Sequence, residues 1–145
     1  MVTIEMQNGE IIKIDLYPKA APKTVSRITE LIQKGFYDGL IFHRVIPGFV
    51  AQGGDPKGNG TGGSGVKLPL EVNNDLKHKP GTLAMARAAD PNSADSQFYI
   101  CLGSPSHLDG QYTIFGQVTE GQNVVEKIKV GDVMKKVTVQ SSEEK

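Results

Sequence analysis

The chain has no tryptophan, one cysteine and no excess charge of either sign: 16 Lys+Arg stand against 16 Asp+Glu in 145 residues. Each shortage excludes something. A net charge of zero supplies no overall field for a polyanion, so neither a nucleic acid nor an acidic membrane surface is the expected partner. The lone Cys101 has no second cysteine with which to close an internal disulfide. The opening residues MVTIEMQNGE lack the basic start and apolar run of a secretory signal, and cytoplasmic residence is the expectation. No uninterrupted apolar run approaches the roughly 20 residues a membrane-spanning helix requires. Repeats of fixed period are absent too. Residues 1–145 therefore read as one domain, the last few, about 141–145 (SSEEK), forming a polar tail. A chain of this length buries roughly two-thirds of the surface its unfolded form exposes, and a monomer is the default.

Motifs for several chemistries are also missing. No G-x-S-x-G elbow exists, because Gly62-Gly63-Ser64-Gly65 continues with Val66; a Ser-His-Asp hydrolase assembled from His43, His78 or His107 is a weak reading. The three histidines are widely separated and Cys101 sits in an apolar stretch, so no local metal-ligand spacing appears and no metal or cofactor is expected. Cys101 reads as ordinary core. Gly58-Asn59-Gly60-Thr61-Gly62-Gly63 satisfies G-x-G-x-x-G literally, but SGVKLPLEVN follows it with no helical period. A dinucleotide site needs a strand before and a helix after, so the stretch reads as a surface loop. The sequon Asn59-Gly60-Thr61 has the same meaning in a chain without an export signal.

What is abundant is glycine: 17 residues, about 12% against a usual share of roughly 7%, as suits a loop-rich β framework. Residues 2–6 and 11–16 alternate apolar and polar around Asn8-Gly9, the dipeptide that best tolerates a tight hairpin turn. From Pro22, Val25, Ile28, Leu31 and Ile32 recur at helical spacing up to Gly35. Short strand-like pieces follow: IFHRVI, FVAQG, LAMA, QFYICL, YTIFGQV and VMKKVTV. A second helix is expected from about Gln122 to Lys129. Many short strands with two helices suggest a closed antiparallel barrel with helices over its open ends, although periodicity alone does not separate barrel from sandwich.

The segment FHRVIPGFVAQGGDP, residues 42–56, alternates between groups a core would take and groups that hydrogen-bond. Together with GNGTGG, GTLAMARA, SQFYICL and LDGQYTIFGQV, it resembles the cyclophilin-type peptidyl-prolyl cis-trans isomerases, and in compactness the bacterial single-domain members. The resemblance implies a closed eight-stranded antiparallel β-barrel capped by two α-helices, and catalysis of rotation about X-Pro bonds in peptides and partly folded chains. That reaction makes and breaks no covalent bond. Its barrier, roughly 18–20 kcal/mol, is the resonance lost at the twisted amide, so the enzyme has to bind the twisted form best.

On the same resemblance Arg44 is the catalytic residue, its guanidinium donating to the proline nitrogen or the displaced carbonyl. Phe49, Val50, Tyr99 and Leu108 receive the proline ring, and Gln52 and Gln97 anchor polar groups beside it. The main chain at Arg87 pairs with the residue before proline, Gly60, Ala86 and Ala88 leave room for a neighbouring side chain, and His43 packs or orients. His107 stands where the best-known eukaryotic members carry tryptophan, Tyr112 replaces histidine, Tyr99 phenylalanine, Val50 methionine and Arg87 asparagine. Cyclosporin is thus a possible ligand of reduced affinity, since that tryptophan supplies an indole N–H and a broad face. The Arg87 charge would favour acidic residues flanking the proline. Two other readings stay open: a proline-peptide docking module or chaperone without catalysis, and the hydrolase. Retention of Arg44 with Phe49 and Gln52 favours the enzyme over the docking groove.

Overall fold

A computed structural model describes residues 1–140; the polar tail expected at about 141–145 lies outside them. The alternating start forms a hairpin, β1 (Val2–Met6) with β2 (Ile11–Leu16), paired from Val2↔Ile14 to Glu5↔Ile11. Val2, Ile4, Met6, Ile12 and Ile14 are the buried members. Period-two patterning has placed one face of this hairpin inward.

Helix α1 (Pro22–Gln33) buries Thr24, Val25, Ile28, Leu31 and Ile32, and packs against the last strand, β8 (Met134–Val139). Pro22 suits its first turn, where a missing N–H costs nothing. Ala21 at the N-cap has no side chain to offer the orphan donors, and no acidic residue lies in the first turn. Glu71 does this work from 47 positions away: Oε1 accepts from the Thr24 N–H and hydroxyl at 2.8 Å each, and Oε2 from the Lys23 N–H at 3.1 Å. Nothing local in the sequence marks it as a cap. Glu71→Ala is expected to cost about 1–2 kcal/mol, the usual loss of a capping side chain, read as a lower urea midpoint at unchanged slope. An unchanged midpoint would mean that water caps α1 equally well.

The middle strands are β3 (Phe42–Ile46), β4 (Val50–Gly53), β5 (Thr82–Met85), β6 (Phe98–Cys101) and β7 (Ile114–Glu120). They join the others in one antiparallel sheet of order β3-β4-β6-β5-β7-β2-β1-β8. The expected closed barrel is corrected here: the curled sheet is an open half-barrel, in which β3 and β8 end the order unpaired with each other. The chain just before each of them meets at a single bridge, Ile41↔Val133, with backbone bonds such as Met134 N–H to Leu40 O at 2.9 Å. The ladder goes no further because β3 bulges at His43, where two steps from Phe42 to Arg44 oppose one from Gly53 to Gln52. A bulge bends and twists its strand, which accounts for pairing that stops short at this edge.

Helix α2 is shorter than its hydrophobic spacing predicts, Gln122–Val125 instead of about 122–129. Lys127 and Ile128 donate to Val124 and Val125 carbonyls only three residues back, which tightens the turn, while Val124, Val125 and Ile128 stay buried.

Two apolar clusters occupy opposite faces of the sheet. The larger contains Phe42, Ala51, Leu83, Met85, Phe98, Ile100 and Phe115 together with the buried faces of α1 and α2. The smaller comprises Val50, Ala84, Tyr99, Cys101 and Ile114, with Phe49, Ala86, Leu108 and Tyr112 packed against it. Each apolar side chain fully buried contributes about 1.5–3 kcal/mol, so the larger cluster carries most of the stability. The smaller one is the floor of a surface site.

Candidate active site

The two-sided use of the sheet explains the alternation in FHRVIPGFVAQGGDP. In β4, Ala51 and Gly53 face the main core, whereas Val50 and Gln52 face the smaller cluster. In β3, strict alternation would put Phe42 and Arg44 on one face. The extra residue at His43 breaks that parity, so Phe42 is fully buried while Arg44 lies opposite Gln52, exposed. The bulge turns the guanidinium to the site face.

Pairing registers then align one row across five strands: Arg44↔Gln52, Gln52↔Tyr99, Tyr99↔Ala84 and Ala84↔Ile114. Directly opposite residues sit roughly 4.5–5.5 Å apart, so a cation, an amide and an apolar floor follow one another at van der Waals intervals. Val50 opposite Cys101 and Ile46 opposite Val50 supply the next row. Phe49, Leu108 and Tyr112 wall the slot. His107, on a single 3-10 turn (Ser106–Leu108), stacks on Phe49 with ring centroids 5.8 Å apart and planes at 24°. It is exposed and forms a rim.

Arg44 is held by a chain of amides. Its Nη1 donates to Gln52 Oε1 at 3.3 Å, Gln52 Nε2 to Gln97 Oε1 at 3.1 Å, and Gln97 Nε2 to the Gly60 and Gly62 carbonyls at 3.0 and 3.1 Å. The glycine-rich loop is thereby coupled to the guanidinium. A cleft of about 310 Å³ opens beside it, lined by Gln52, Gly60, Ala86, Arg87, Ala88 and Gln97 of the expected set and also by Thr61, Lys67, Ser93 and Asp95. The expected site residues thus divide between an apolar slot and a polar cleft, with Arg44, Gln52 and Gln97 between them.

The Arg87 guanidinium folds back onto neighbouring backbone. It donates to the carbonyls of Gln111 (2.9 and 3.3 Å), Ala88 (2.9 Å) and Ala89 (3.3 Å), and lies 4.5 Å from the centre of the Tyr112 ring. Such an arrangement straps two loops together and presses Tyr112 toward Tyr99, whose ring it meets edge-on at 5.9 Å.

His43 faces the glycine loop, its Nε2 close to Gly60. Burial is the largest influence on its pKa; Asp55 opposes that influence, the Arg44 charge adds to it, and the net effect is downward. Its Nδ1 is buried with no hydrogen-bond partner among the described residues. A neutral imidazole beside a permanent cation suits packing better than proton transfer.

The literal G-x-G-x-x-G stretch does bind an anion, namely the carboxylate of Asp55. Backbone N–H groups of Lys57, Asn59 and Gly60 point at it, and a Cβ on Gly62 would overlap it. Burial alone would raise the Asp55 pKa, but backbone donors at Lys57, Gly62, Asn59 and Gly60 together hold it below the usual carboxylate value. Its unfolded form therefore takes up a proton at higher pH than its folded form, and stability rises with pH across that window. Wild-type unfolding free energy should fall as pH drops from about 4, the ordinary carboxyl value, through the lower folded pKa. Asp55→Asn should be less stable at neutral pH and show a shallower acid slope; parallel slopes in the two proteins would contradict this.

Cys101 belongs to the slot floor and not to the main core, and its thiol is pushed up to about 12, chiefly by burial. It is a hydrocarbon-like surface at neutral pH. Spacing could not find Ala84, Cys101 or Ile114, since only strand register brings them together; nor could it find Asp95, which accepts from Ser64 N–H and hydroxyl at 2.6 Å each and so shapes the glycine loop.

Comparison with known proteins sets nearly the whole chain beside one family. The family model described as "Cyclophilin type peptidyl-prolyl cis-trans isomerase/CLD" matches residues 1–144. The chain is 48% identical over 143 residues to a peptidyl-prolyl cis-trans isomerase of Helicobacter pylori, covering 97% of this chain and 86% of that one. It is 47% identical over 136 residues to peptidyl-prolyl cis-trans isomerase B of Bacillus subtilis, covering 93% and 94%. Among solved structures, a Cryptosporidium parvum cyclophilin-type isomerase crystallised in the presence of the dipeptide Ala-Pro superposes with a TM-score of 0.86 at 33% identity, covering 97% of this chain and 99% of that one.

Proposed function

The chain belongs to the cyclophilin-type peptidyl-prolyl cis-trans isomerases, and from that membership we propose that it speeds rotation about X-Pro bonds in polypeptides by a mechanism centred on Arg44. The observation that carries the reading is the cross-strand row Arg44, Gln52, Tyr99, Ala84, in which a fixed donor borders an apolar slot of proline's character.

Proline enters ring-first between Phe49, Val50, Tyr99 and Leu108, while the chain that precedes it runs toward the polar cleft. As the amide twists, conjugation is lost and the proline nitrogen gains a lone pair that the planar forms do not have. A permanently protonated guanidinium donates to that nitrogen or to the displaced carbonyl, an interaction stronger at the twisted geometry than at either planar one. Gln52 and Gln97 hold the fork in place, so little reorganisation is needed when the charge distribution changes. Each 1.36 kcal/mol removed from the barrier is a factor of ten in rate. In cells the same activity would relieve folding steps limited by proline isomerisation, in a cytoplasm where the single thiol of Cys101 stays reduced. His107 at the rim offers cyclosporin a smaller face than an indole, which supports weakened binding of that drug.

The test is NMR exchange spectroscopy on a short X-Pro peptide at catalytic protein concentration. Faster cis-trans exchange, proportional to enzyme, is expected. Saturable binding with an unchanged exchange rate would instead make the protein a docking module.

A further inference from the structure

Beneath the slot lies a polar chain that no local motif announces. The side chain of His78 has 0% exposure, and both ring nitrogens are engaged: Nδ1 lies 2.8 Å from Asp109 Oδ1 and Nε2 2.7 Å from the Tyr99 hydroxyl. The His78 backbone N–H donates to the same Asp109 oxygen at 2.7 Å. The rings of His78 and Tyr99 are almost parallel, at 13° with centroids 5.8 Å apart.

Counting protons settles the direction of these bonds. An ionised Asp109 only accepts, so His78 Nδ1 carries hydrogen. In a neutral imidazole Nε2 is then an acceptor, and Tyr99 donates to it. Were His78 doubly protonated, Nε2 would donate, and the Tyr99 hydroxyl, whose one hydrogen-bond partner among the described residues is that nitrogen, would have to place its proton elsewhere. No other acceptor bonds that hydroxyl among the described residues, and an unmet buried donor is costly. The neutral Nδ1–H tautomer leaves every partner satisfied.

Resting on the isomerase reading above, we propose that His78 is a positioning residue of the proline slot: by taking the Tyr99 hydroxyl bond from below, it presents only the hydrocarbon of that ring to the substrate. A tyrosine in an apolar floor would otherwise direct a hydroxyl toward the proline ring or tilt to find water. Held this way, Tyr99 serves as a phenylalanine would. Asp109 sets the tautomer and follows Leu108 directly in the chain, so the slot's wall and floor share one anchor. The edge-on contact of Tyr112 with Tyr99 completes the clamp from above.

Two measurements test this. Long-range 1H–15N spectra of the unaltered protein should show a protonated Nδ1 and a bare Nε2 on His78; the opposite tautomer, or an imidazolium at neutral pH, would overturn the assignment, and this result needs no variant to fold and no activity. Second, X-Pro peptide affinity by NMR titration, with KM and kcat beside it, is compared among wild type, His78→Leu and the double variant His78→Leu/Tyr99→Phe. His78→Leu should weaken peptide binding and raise KM by about tenfold, the order expected for a misplaced polar group in an apolar pocket, with a much smaller change in kcat. Removing the stranded hydroxyl in the double variant should recover most of that loss. An unchanged affinity in His78→Leu, or a loss that Tyr99→Phe does not recover, would overturn the proposal. If the wild-type protein itself gives no rate enhancement, the isomerase reading fails, while tautomer and peptide affinity still decide the role of His78.

Discussion

Arg44→Ala is expected to lower kcat/KM for X-Pro isomerisation by about 100-fold or more, the range seen when a fixed donor to a transition state is removed, while leaving the unfolding midpoint nearly unchanged. Both halves of this expectation come from where the residue sits. Its side chain is exposed on an edge strand and its one side-chain hydrogen bond among the described residues, to Gln52, is 3.3 Å long, so the fold gains little from it; exposed substitutions of this kind usually stay within about 0.5 kcal/mol. Its chemistry, by contrast, is not duplicated by the other cations of the cleft lining, since Lys67 has no planar fork and the Arg87 guanidinium is committed to three backbone carbonyls and the Tyr112 ring. Arg44→Lys keeps the charge but not the planar fork that Gln52 orients, and should fall between the two. The measurement is exchange rate against peptide concentration for the three proteins, with urea unfolding alongside. A rate loss matched by an equal loss of fold would assign Arg44 a structural role.

Gly54→Ala should have the largest effect on stability of any single methyl group added to a glycine of residues 42–56. Gly54 adopts φ +91°, a conformation costing a residue with a Cβ about 1–2 kcal/mol. The new Cβ would stand 2.6 Å from the Ser96 carbonyl and 3.1 Å from the Tyr37 and Phe98 rings. That carbonyl accepts the buried Tyr37 hydroxyl at 2.9 Å, and the Ser96 hydroxyl donates back to Gly54 O at 2.8 Å. Relief of the overlap therefore breaks buried hydrogen bonds, each costing about 1–3 kcal/mol when left unmet. The sum, about 2–5 kcal/mol, is a large part of the 5–15 kcal/mol typical of a whole domain. Urea denaturation reads it directly. A loss below 1 kcal/mol would mean that the β4 exit relaxes without disturbing Ser96.

Where a feature depends on near neighbours in the chain, it was legible beforehand. The hairpin around Asn8-Gly9, the face of α1 and the six short strand segments each follow from apolar period and turn residues, and they appear within a residue or two of where they were expected. The α2 boundary was missed because a three-residue backbone step replaced a four-residue one at Lys127 and Ile128, a choice hydrophobic spacing does not encode. The closed barrel was expected wrongly, because closure depends on whether two strands far apart in sequence stay alongside each other in space, which no local pattern encodes.

The expected site residues were identified through the motifs that resemble a known family, since taken one by one Phe49, Val50 and Tyr99 would pass for core. Residues with no such motif escaped: Glu71 under α1, Asp95 in the glycine loop, His78 beneath the slot. Each acts across 21 to 47 positions of chain, by hydrogen bonds whose partners alternation and spacing cannot name.

By itself, then, the sequence determined which stretches are strands and helices and which side of each is apolar, because those follow from dihedral preference and burial within a few residues. Only the tertiary structure decided that Phe42 turns inward while Arg44 turns outward, that Tyr99 aligns with Gln52, and that an imidazole holds the tyrosine hydroxyl. Strand register and bulges make those choices, and they are set by the packing of the whole sheet, where a shift of one residue exchanges the core face for the site face.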